Sequence, residues 1–252
     1  MRINLPSTIC FRVTRNCNAR CGFCLAPPEG VQPDETTLIK RIDWLFSHGV
    51  ETFHFCGGEP TVHPALPELL THVHAMQGKS RLTTNAISIS EDLISTLVGT
   101  GTLVKVSLHG DRRHHDEMVG RRAFDRTTRN LSRLIAGGAR VSVQTTVVAS
   151  QTWVVDRMVE FCIQARVRRL SFLPFVPRGS GSALRREYGL SATEREALRK
   201  RIKTKRRLLG RLLDVRWLDF NAQPLHVVEA DGRIVLEGAT ESVDEVIARI
   251  PA

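Results

Sequence analysis

The stretch Cys17-Asn18-Ala19-Arg20-Cys21-Gly22-Phe23-Cys24 decides how the rest of the chain is interpreted. It places three thiols close together, directly after an apolar run, residues 9–13, that is typical of a buried strand. Packing does not explain this clustering, because any small apolar side chain would fill each position equally well. The spacing therefore indicates a shared metal at the end of the first strand.

Length, composition and charge limit the class of protein. The chain has 252 residues, 42% of them hydrophobic, and a formal net charge of +10, which suits a single larger α/β domain and favours anionic partners. No segment approaches the roughly 20 apolar residues of a membrane span, and residues 1–7 lack the apolar core of a signal peptide. We therefore expect a cytoplasmic protein with no membrane partner, in which the six cysteines stay reduced.

Strand-like and helix-like segments alternate along the chain. The predicted strands are residues 9–13, 52–56, 81–85, 103–107, 141–148 and 170–175, and the predicted helices between them are residues 34–48, 66–76, 91–98, 124–136 and 153–165. Six such alternations are typical of a parallel sheet covered by helices. The fifth strand is polar at alternate positions, whereas a sheet buried on both faces is almost continuously apolar. We therefore predict a barrel or partial barrel whose lumen holds a ligand, with the chemistry at the carboxyl ends of the strands.

The last quarter of the chain has a different pattern, which we interpret as an extension that closes the barrel. We assign residues 1–180 to the core and residues 181–252 to this extension of the same structural unit. The extension is predicted to contain a long basic helix over residues 191–213 with an apolar stripe that includes Leu198, Ile202, Leu208 and Leu212, a hairpin over residues 225–236, and a closing helix over residues 243–250. The loop over residues 179–182, rich in glycine and serine, is expected to be mobile.

The three clustered thiols leave one position of a metal site open. A structural zinc site needs a fourth ligand, usually from a second closely spaced pair, and the chain has no second Cys-x2-Cys. A closed iron–sulfur cluster needs four protein ligands. Three thiolates therefore favour a cluster with one open position, which is the arrangement that catalysis requires.

A second motif, Gly57-Gly58-Glu59-Pro60, follows the second predicted strand. Its glycines would let backbone carbonyls approach an ammonium group, and Glu59 would add an anionic acceptor. Taken alone, such a stretch is most often a turn. Together with the cysteine stretch, in which the aromatic Phe23 precedes the third cysteine, it resembles the signature of the radical S-adenosylmethionine (SAM) enzymes.

This resemblance implies a partial (β/α)6 barrel similar to a TIM barrel, with a C-terminal helix, hairpin and helix extension. It also implies a [4Fe-4S] cluster on Cys17, Cys21 and Cys24, with SAM bound at the fourth iron. Cleavage of SAM would give a 5′-deoxyadenosyl radical that removes a hydrogen atom from a substrate, with electrons from an external donor such as flavodoxin or ferredoxin. The positions that match cofactor contacts in the family are Phe23, Gly57, Gly58, Glu59, Pro60, Asn85, Ser107, Thr145 or Thr146, and Pro174.

The chain is most similar to the branch that contains the molybdenum-cofactor cyclisation enzyme, peptide-maturing enzymes and viperin. It has no cysteine at residues 237–240, where many relatives begin an auxiliary cluster, so we expect a single cluster. His109, Arg178 and Arg185 are candidate substrate contacts, because guanidinium groups suit a phosphate. We predict a small phosphorylated or nucleotide-like substrate. The alternatives are a peptide, RNA bound by the basic helix, and a non-enzymatic iron–sulfur scaffold or partner protein.

The remaining cysteines and histidines have less specific interpretations. Cys10 and Cys162 are predicted to be small core residues. Cys56 either packs in the core or faces the lumen, where it would be a hydrogen donor to a substrate radical. His114 and His115 are expected in a solvated loop after His109.

Overall fold

The computed structural model of the protein describes residues 4–149, 151–219 and 224–251. The first three residues of the segment tested for a signal peptide lie outside these ranges. The strands are β1 (Thr8–Thr14), β2 (Thr52–Gly57), β3 (Lys79–Thr84), β4 (Leu103–Ser107), β5 (Arg140–Val147), β6 (Arg169–Pro174), β7 (Asp214–Trp217), β8 (Leu225–Val228), β9 (Arg233–Glu237) and β10 (Glu245–Arg249). The helices are α1 (Glu35–Ser47), α2 (Leu66–Ala75), α3 (Glu91–Gly99), α4 (Arg112–Val119), α5 (Phe124–Ala136), α6 (Val154–Gln164), α7 (Arg185–Tyr188) and α8 (Ala192–Leu209).

These strands form one sheet in the order β10-β9-β8-β1-β2-β3-β4-β5-β6-β7. Strands β1 to β7 are parallel, β8 is parallel to β1, and β9 is antiparallel to both of its neighbours. Because β7 and β10 end the sheet without pairing to each other, the barrel is partial, and the predicted fold is confirmed. The carboxyl ends of the parallel strands lie at one edge, where the cysteine loop follows β1.

Local sequence signals explain where the outer helices begin and which face they bury. Asp34 caps α1 by accepting a hydrogen bond from the Thr37 backbone N–H at 2.7 Å. Leu38, Ile42 and Leu45 then recur at helical spacing and are fully buried against the sheet. The predicted capping box of α8 is present, since Ser191 and Glu194 bond to each other's backbone N–H at 3.2 and 2.8 Å.

The predicted closing helix over residues 243–250 is wrong. A short 3-10 helix, Glu241–Val243, leads into strand β10, where Val246 pairs with Val235 of β9. Pairing with β10 satisfies backbone groups of β9 that a helix would have left without ladder partners. Tertiary context therefore overrides the local helical pattern in this segment.

Other elements also differ from the expectations. Helix α8 ends at Leu209, and the predicted stripe residues Leu208 and Leu212 are 78% and 69% exposed. Residues 179–182 lie in a 3-10 helix, Gly179–Leu184, rather than in a mobile loop. Strand β7 was not predicted. Within the described ranges, no helix combines the length and the apolar character needed to cross a membrane.

Candidate functional site

The Gly57-Gly58 stretch packs directly beneath the cysteine loop. Gly58 N–H donates to Thr14 O, and Glu59 N–H donates to Asn16 O, each at 2.8 Å. A Cβ on Gly58 would lie 2.1 Å from Asn16 O, so no larger residue fits without moving this backbone. The glycines therefore hold the chain after β2 against the chain after β1.

Residues of both motifs line one cavity of about 270 Å³. It extends from the strand ends into the lumen of the partial barrel, and it is also lined by Leu225 and Val227 of β8. The predicted site residues on its wall are Cys17, Cys21, Phe23, Cys24, Gly57, Gly58, Glu59, Asn85, Ser107, His109 and Pro174. The structure thus brings together residues as far apart in sequence as Cys17 and Pro174.

Glu59 is buried, with one of its oxygens largely occupied and the other open to a further donor. Its Oε1 accepts from Thr84 Oγ1 at 2.6 Å and from the backbone N–H and hydroxyl of Thr61 at 3.1 and 2.8 Å. Its Oε2 accepts from the Asn85 N–H at 2.7 Å, and an oxygen of this type can accept a second donor. Burial raises the pKa of Glu59 while these hydrogen bonds oppose the shift. An ammonium group in the cavity would favour the carboxylate form.

The three clustered thiols need a cation to ionise. Burial raises the pKa of Cys17 and Cys24, and burial together with the charges of Cys24 and Cys17 raises the pKa of Cys21 to about 12. Thiolates in this loop are thus unfavourable without bound metal, whose positive charge reverses the effect. In the described part of the chain, no three cysteine, histidine or acidic side chains are arranged to hold a single ion. A cluster needs no such convergence, because its thiolates bind different iron atoms.

His109 presents a neutral imidazole to the cavity. Its Nδ1 accepts from the Thr146 N–H at 3.1 Å, so the remaining proton is on Nε2. Burial, with His115 and His114 nearby, holds the pKa of His109 well below its usual range. Its ring contacts Phe23 edge-on, with centroids 5.0 Å apart. The expected solvated loop is wrong, because His114 and His115 are buried in helix α4.

Thr145, one of the two candidates on the fifth strand, does not line the cavity. Its hydroxyl donates to Leu108 O at 2.7 Å, and the side chain is fully buried on the face of β5 that points away from the cavity. Alternate residues of a strand face opposite sides, so Gln144 and Thr146 line the cavity instead. Pro60 is buried and begins the 3-10 helix after Glu59, outside the cavity wall.

Arg178 and Arg185 do not reach this cavity. Arg178 lines a neighbouring charged cavity, where it bonds Asp244 at 2.5 and 2.7 Å and Glu237 at 3.1 Å. Arg185 is exposed on helix α7. The structure therefore does not bring these two predicted substrate contacts to the cavity, and carboxylates of the C-terminal extension already neutralise Arg178.

Several lumen residues were missed by the sequence interpretation. Cys10 lines the cavity instead of packing in the core, and so do His54 and Lys105. Cys162 is buried in the core as predicted. The alternation of residues along β1 could have indicated the position of Cys10. Alternate residues of a strand face the same side, so Cys10 lies on the same face of β1 as the charged Arg12 and is not on its apolar face. Which face points to the lumen required the folded sheet.

The sequence profile of the Radical SAM superfamily matches residues 11–162. The chain belongs to this superfamily. Radical SAM proteins use a [4Fe-4S] cluster and SAM, so the predicted cofactors and the prediction of an enzyme are confirmed at the level of the family.

Curated radical SAM relatives match part of the chain. It is 27% identical over 182 residues to the Fe-coproporphyrin III synthase of Methanosarcina barkeri, covering 70% of this chain and 46% of that protein. It is 34% identical over 130 residues to the GTP 3′,8-cyclase of Chlorobaculum tepidum, covering 49% of this chain and 39% of that protein. The chain thus spans less than half the length of these two relatives.

Among solved structures, Streptococcus suis SuiB bound to the precursor peptide SuiA is similar over 92% of this chain and 59% of that chain. The TM-score is 0.79 and the sequence identity is 18%. At this identity the likeness shows that the fold is shared.

Proposed function

We propose that this chain is a radical SAM enzyme that acts on a small anionic substrate held in its lumen. The observation that carries the proposal is the convergence of the three thiols and the Gly-Gly-Glu stretch on one cavity. Cys17, Cys21 and Cys24 would hold the [4Fe-4S] cluster. When bound, this group supplies the electron that cleaves SAM to methionine and a 5′-deoxyadenosyl radical.

The residues around the cavity support defined roles in binding SAM. The backbone at Gly57 and Gly58 and the open acceptor on Glu59 Oε2 suit the cationic amino group of the methionine moiety. The His109 Nε2–H and Ser107 offer hydrogen bonds to polar groups of the cofactor. Pro174 offers an apolar surface at the end of β6.

Lys105 supports an anionic substrate. It lies in the middle of β4 and lines the cavity, and its side chain makes no hydrogen bond or ion pair with any residue that the structure describes. Burial lowers the pKa of Lys105, and the nearby Cys10 only opposes this shift, because the ammonium group makes no direct ion pair. A phosphate or carboxylate of the substrate would provide a direct partner, a role that the sequence interpretation gave to Arg178. GTP 3′,8-cyclase, one of the relatives, is named for a nucleotide.

A peptide substrate is the second candidate. It is favoured by the fold shared with SuiB, which was solved with a precursor peptide. RNA is less well supported, because Arg201 and Lys205 of the basic helix pair with Asp156 of α6. An external electron donor of the flavodoxin or ferredoxin class completes the proposal.

The first experiment tests the enzyme. Anaerobic reconstitution with iron and sulfide, followed by reduction with SAM, should release 5′-deoxyadenosine, and Cys21→Ala should abolish both the cluster and the release. Cys162→Ala is the matched control, since Cys162 lies in the core away from the cavity. No release by protein shown to contain the cluster would refute the proposal.

The second experiment tests the substrate class. Deuterated nucleoside triphosphates and deuterated peptides are compared for transfer of deuterium into 5′-deoxyadenosine. We expect transfer from a phosphorylated compound, and Lys105→Met should weaken its apparent affinity at least about tenfold, because a charge-assisted contact is lost. Lys79→Met, at an exposed position on β3, is the control. Transfer from peptides alone would favour the second candidate.

A further inference from the structure

Cys10 and Cys56 form a thiol pair in the lumen. They lie on neighbouring strands, where Cys10 pairs with His54 and Arg12 pairs with Cys56. Both side chains line the cavity and are partly exposed to it. Cys56 directly precedes Gly57, so the pair lies next to the stretch proposed to hold SAM.

The surroundings shift the pKa values of the two thiols in opposite directions. A hydrogen bond from Cys56, together with His54 and Arg12, holds the pKa of Cys10 well below its usual range. The same hydrogen bond and burial raise the pKa of Cys56 well above its usual range. These opposite directions favour the thiolate at Cys10 and the S–H form at Cys56.

The surroundings hold this arrangement in place. His54 Nε2 bonds Thr83 Oγ1 at 2.7 Å, which leaves Nδ1 of the ring for Cys10. The other charged groups near the pair are Lys105 and Glu237. A packing role would not require two thiols and a histidine facing a cavity.

We propose that Cys56 donates a hydrogen atom to carbon radicals formed in the lumen, with Cys10 as its positioning partner. The S–H bond of Cys56 breaks homolytically, and its hydrogen forms a C–H bond at the radical carbon. The sulfur radical is stabilised by sharing an electron with the Cys10 thiolate. One electron from a donor of the flavodoxin or ferredoxin class and one proton from solvent restore the thiol. The inference rests on the proposed function and assigns this chain to reactions that return hydrogen to the substrate carbon, such as epimerisation.

The 5′-deoxyadenosyl radical serves as the probe of hydrogen donation by Cys56, because it forms from SAM without the unidentified substrate. SAM is cleaved by the reconstituted protein in deuterated water, where thiols carry deuterium and carbon-bound hydrogens do not exchange. We expect 5′-deoxyadenosine that carries one added deuterium from the wild type. Cys56→Ser should give unlabelled product, because serine keeps the size and the hydrogen bond but its O–H bond is too strong to donate a hydrogen atom. Cys162→Ser is the control and should match the wild type.

The outcomes separate the two proposals. No 5′-deoxyadenosine from any variant would overturn the proposed function and this inference with it. Unlabelled product from the wild type, or equal labelling of wild type and Cys56→Ser, would overturn the inference alone. A measurement that needs no cofactor accompanies it: iodoacetamide alkylation of Cys10, mapped by mass spectrometry, should have a higher midpoint pH in Cys56→Ala than in the wild type. An unchanged midpoint would contradict the pairing of the two thiols.

Discussion

At the scale of single residues, Gly58 decides whether the two cofactor motifs can meet. Its backbone approaches Asn16 O so closely that a Cβ would lie 2.1 Å from this oxygen, and the neighbouring Gly57 has a φ of +144°. Only glycine suits both conditions, since side chains are disfavoured in that region of φ. Gly57 and Gly58 are therefore required for backbone packing as well as for the proposed ligand binding.

We expect Gly58→Ala to lower SAM affinity at least about tenfold and the free energy of unfolding by about 1–3 kcal/mol, because the strand ends must separate. Equilibrium binding of SAM and denaturant titration measure the two effects. Gly99→Ala is the matched control, since a Cβ there meets nothing within 4 Å. A Gly58→Ala protein that behaves like this control would show that the loops rearrange freely.

At the scale of elements, Glu237 joins the C-terminal hairpin to the barrel. It lies at the end of β9 and bonds both Nη atoms of Arg12 on β1, at 2.7 and 2.9 Å. The same carboxylate bonds Arg178, which follows β6, at 3.1 Å. All three side chains are buried, so two guanidinium groups from distant elements share one carboxylate, while Glu229 is a second partner of Arg12 and Asp244 of Arg178. The hairpin is thus fixed over the lumen by charge as well as by strand pairing.

Glu237→Gln should reduce the free energy of unfolding by about 1–3 kcal/mol, because it removes the charge that the two guanidinium groups share while each keeps its second carboxylate. Chemical denaturation at neutral pH provides the measurement. Glu245→Gln, at an exposed position of β10, should remain within about 0.5 kcal/mol of the wild type. If the two variants were equally stable, the ion pairs would not hold the hairpin.

At the scale of the whole molecule, buried histidines link folding to pH. Burial lowers the pKa of His115 to about 4, and its Nδ1 accepts from the His109 N–H at 3.2 Å. The unfolded chain has an ordinary histidine pKa of about 6.5, so it binds more protons than the folded protein between these values. This part of the stability is complete above about pH 6.5 and is lost as the pH falls to about 4.

His115→Asn removes the titrating group while its amide oxygen can still accept from the His109 N–H. We expect the free energy of unfolding to depend less steeply on pH between about 6.5 and 4 in this variant than in the wild type. Denaturant titrations across that pH range measure the difference. His74→Asn, at an exposed position of α2, is the control and should follow the wild type. Parallel curves for His115→Asn and the wild type would contradict the assignment.

The sequence by itself determined the motifs, the β/α alternation and most helix boundaries. These features depend on neighbours in the chain: the spacing of Cys17, Cys21 and Cys24, the Asp34 cap, and the apolar period of α1. They were sufficient to predict the partial barrel and a site at the strand ends.

Only the tertiary structure decided which residues meet in the lumen and how the C-terminal strands extend the sheet. Strand β10 exists because β9 offers a partner, and Arg178 is neutralised because that strand brings Asp244 to it. Likewise, the choice between Thr145 and Thr146, and the exposure of Cys10 and Lys105, depend on which face of each strand points inward. Such pairings join residues that are distant in sequence, so no local pattern in the chain specifies them.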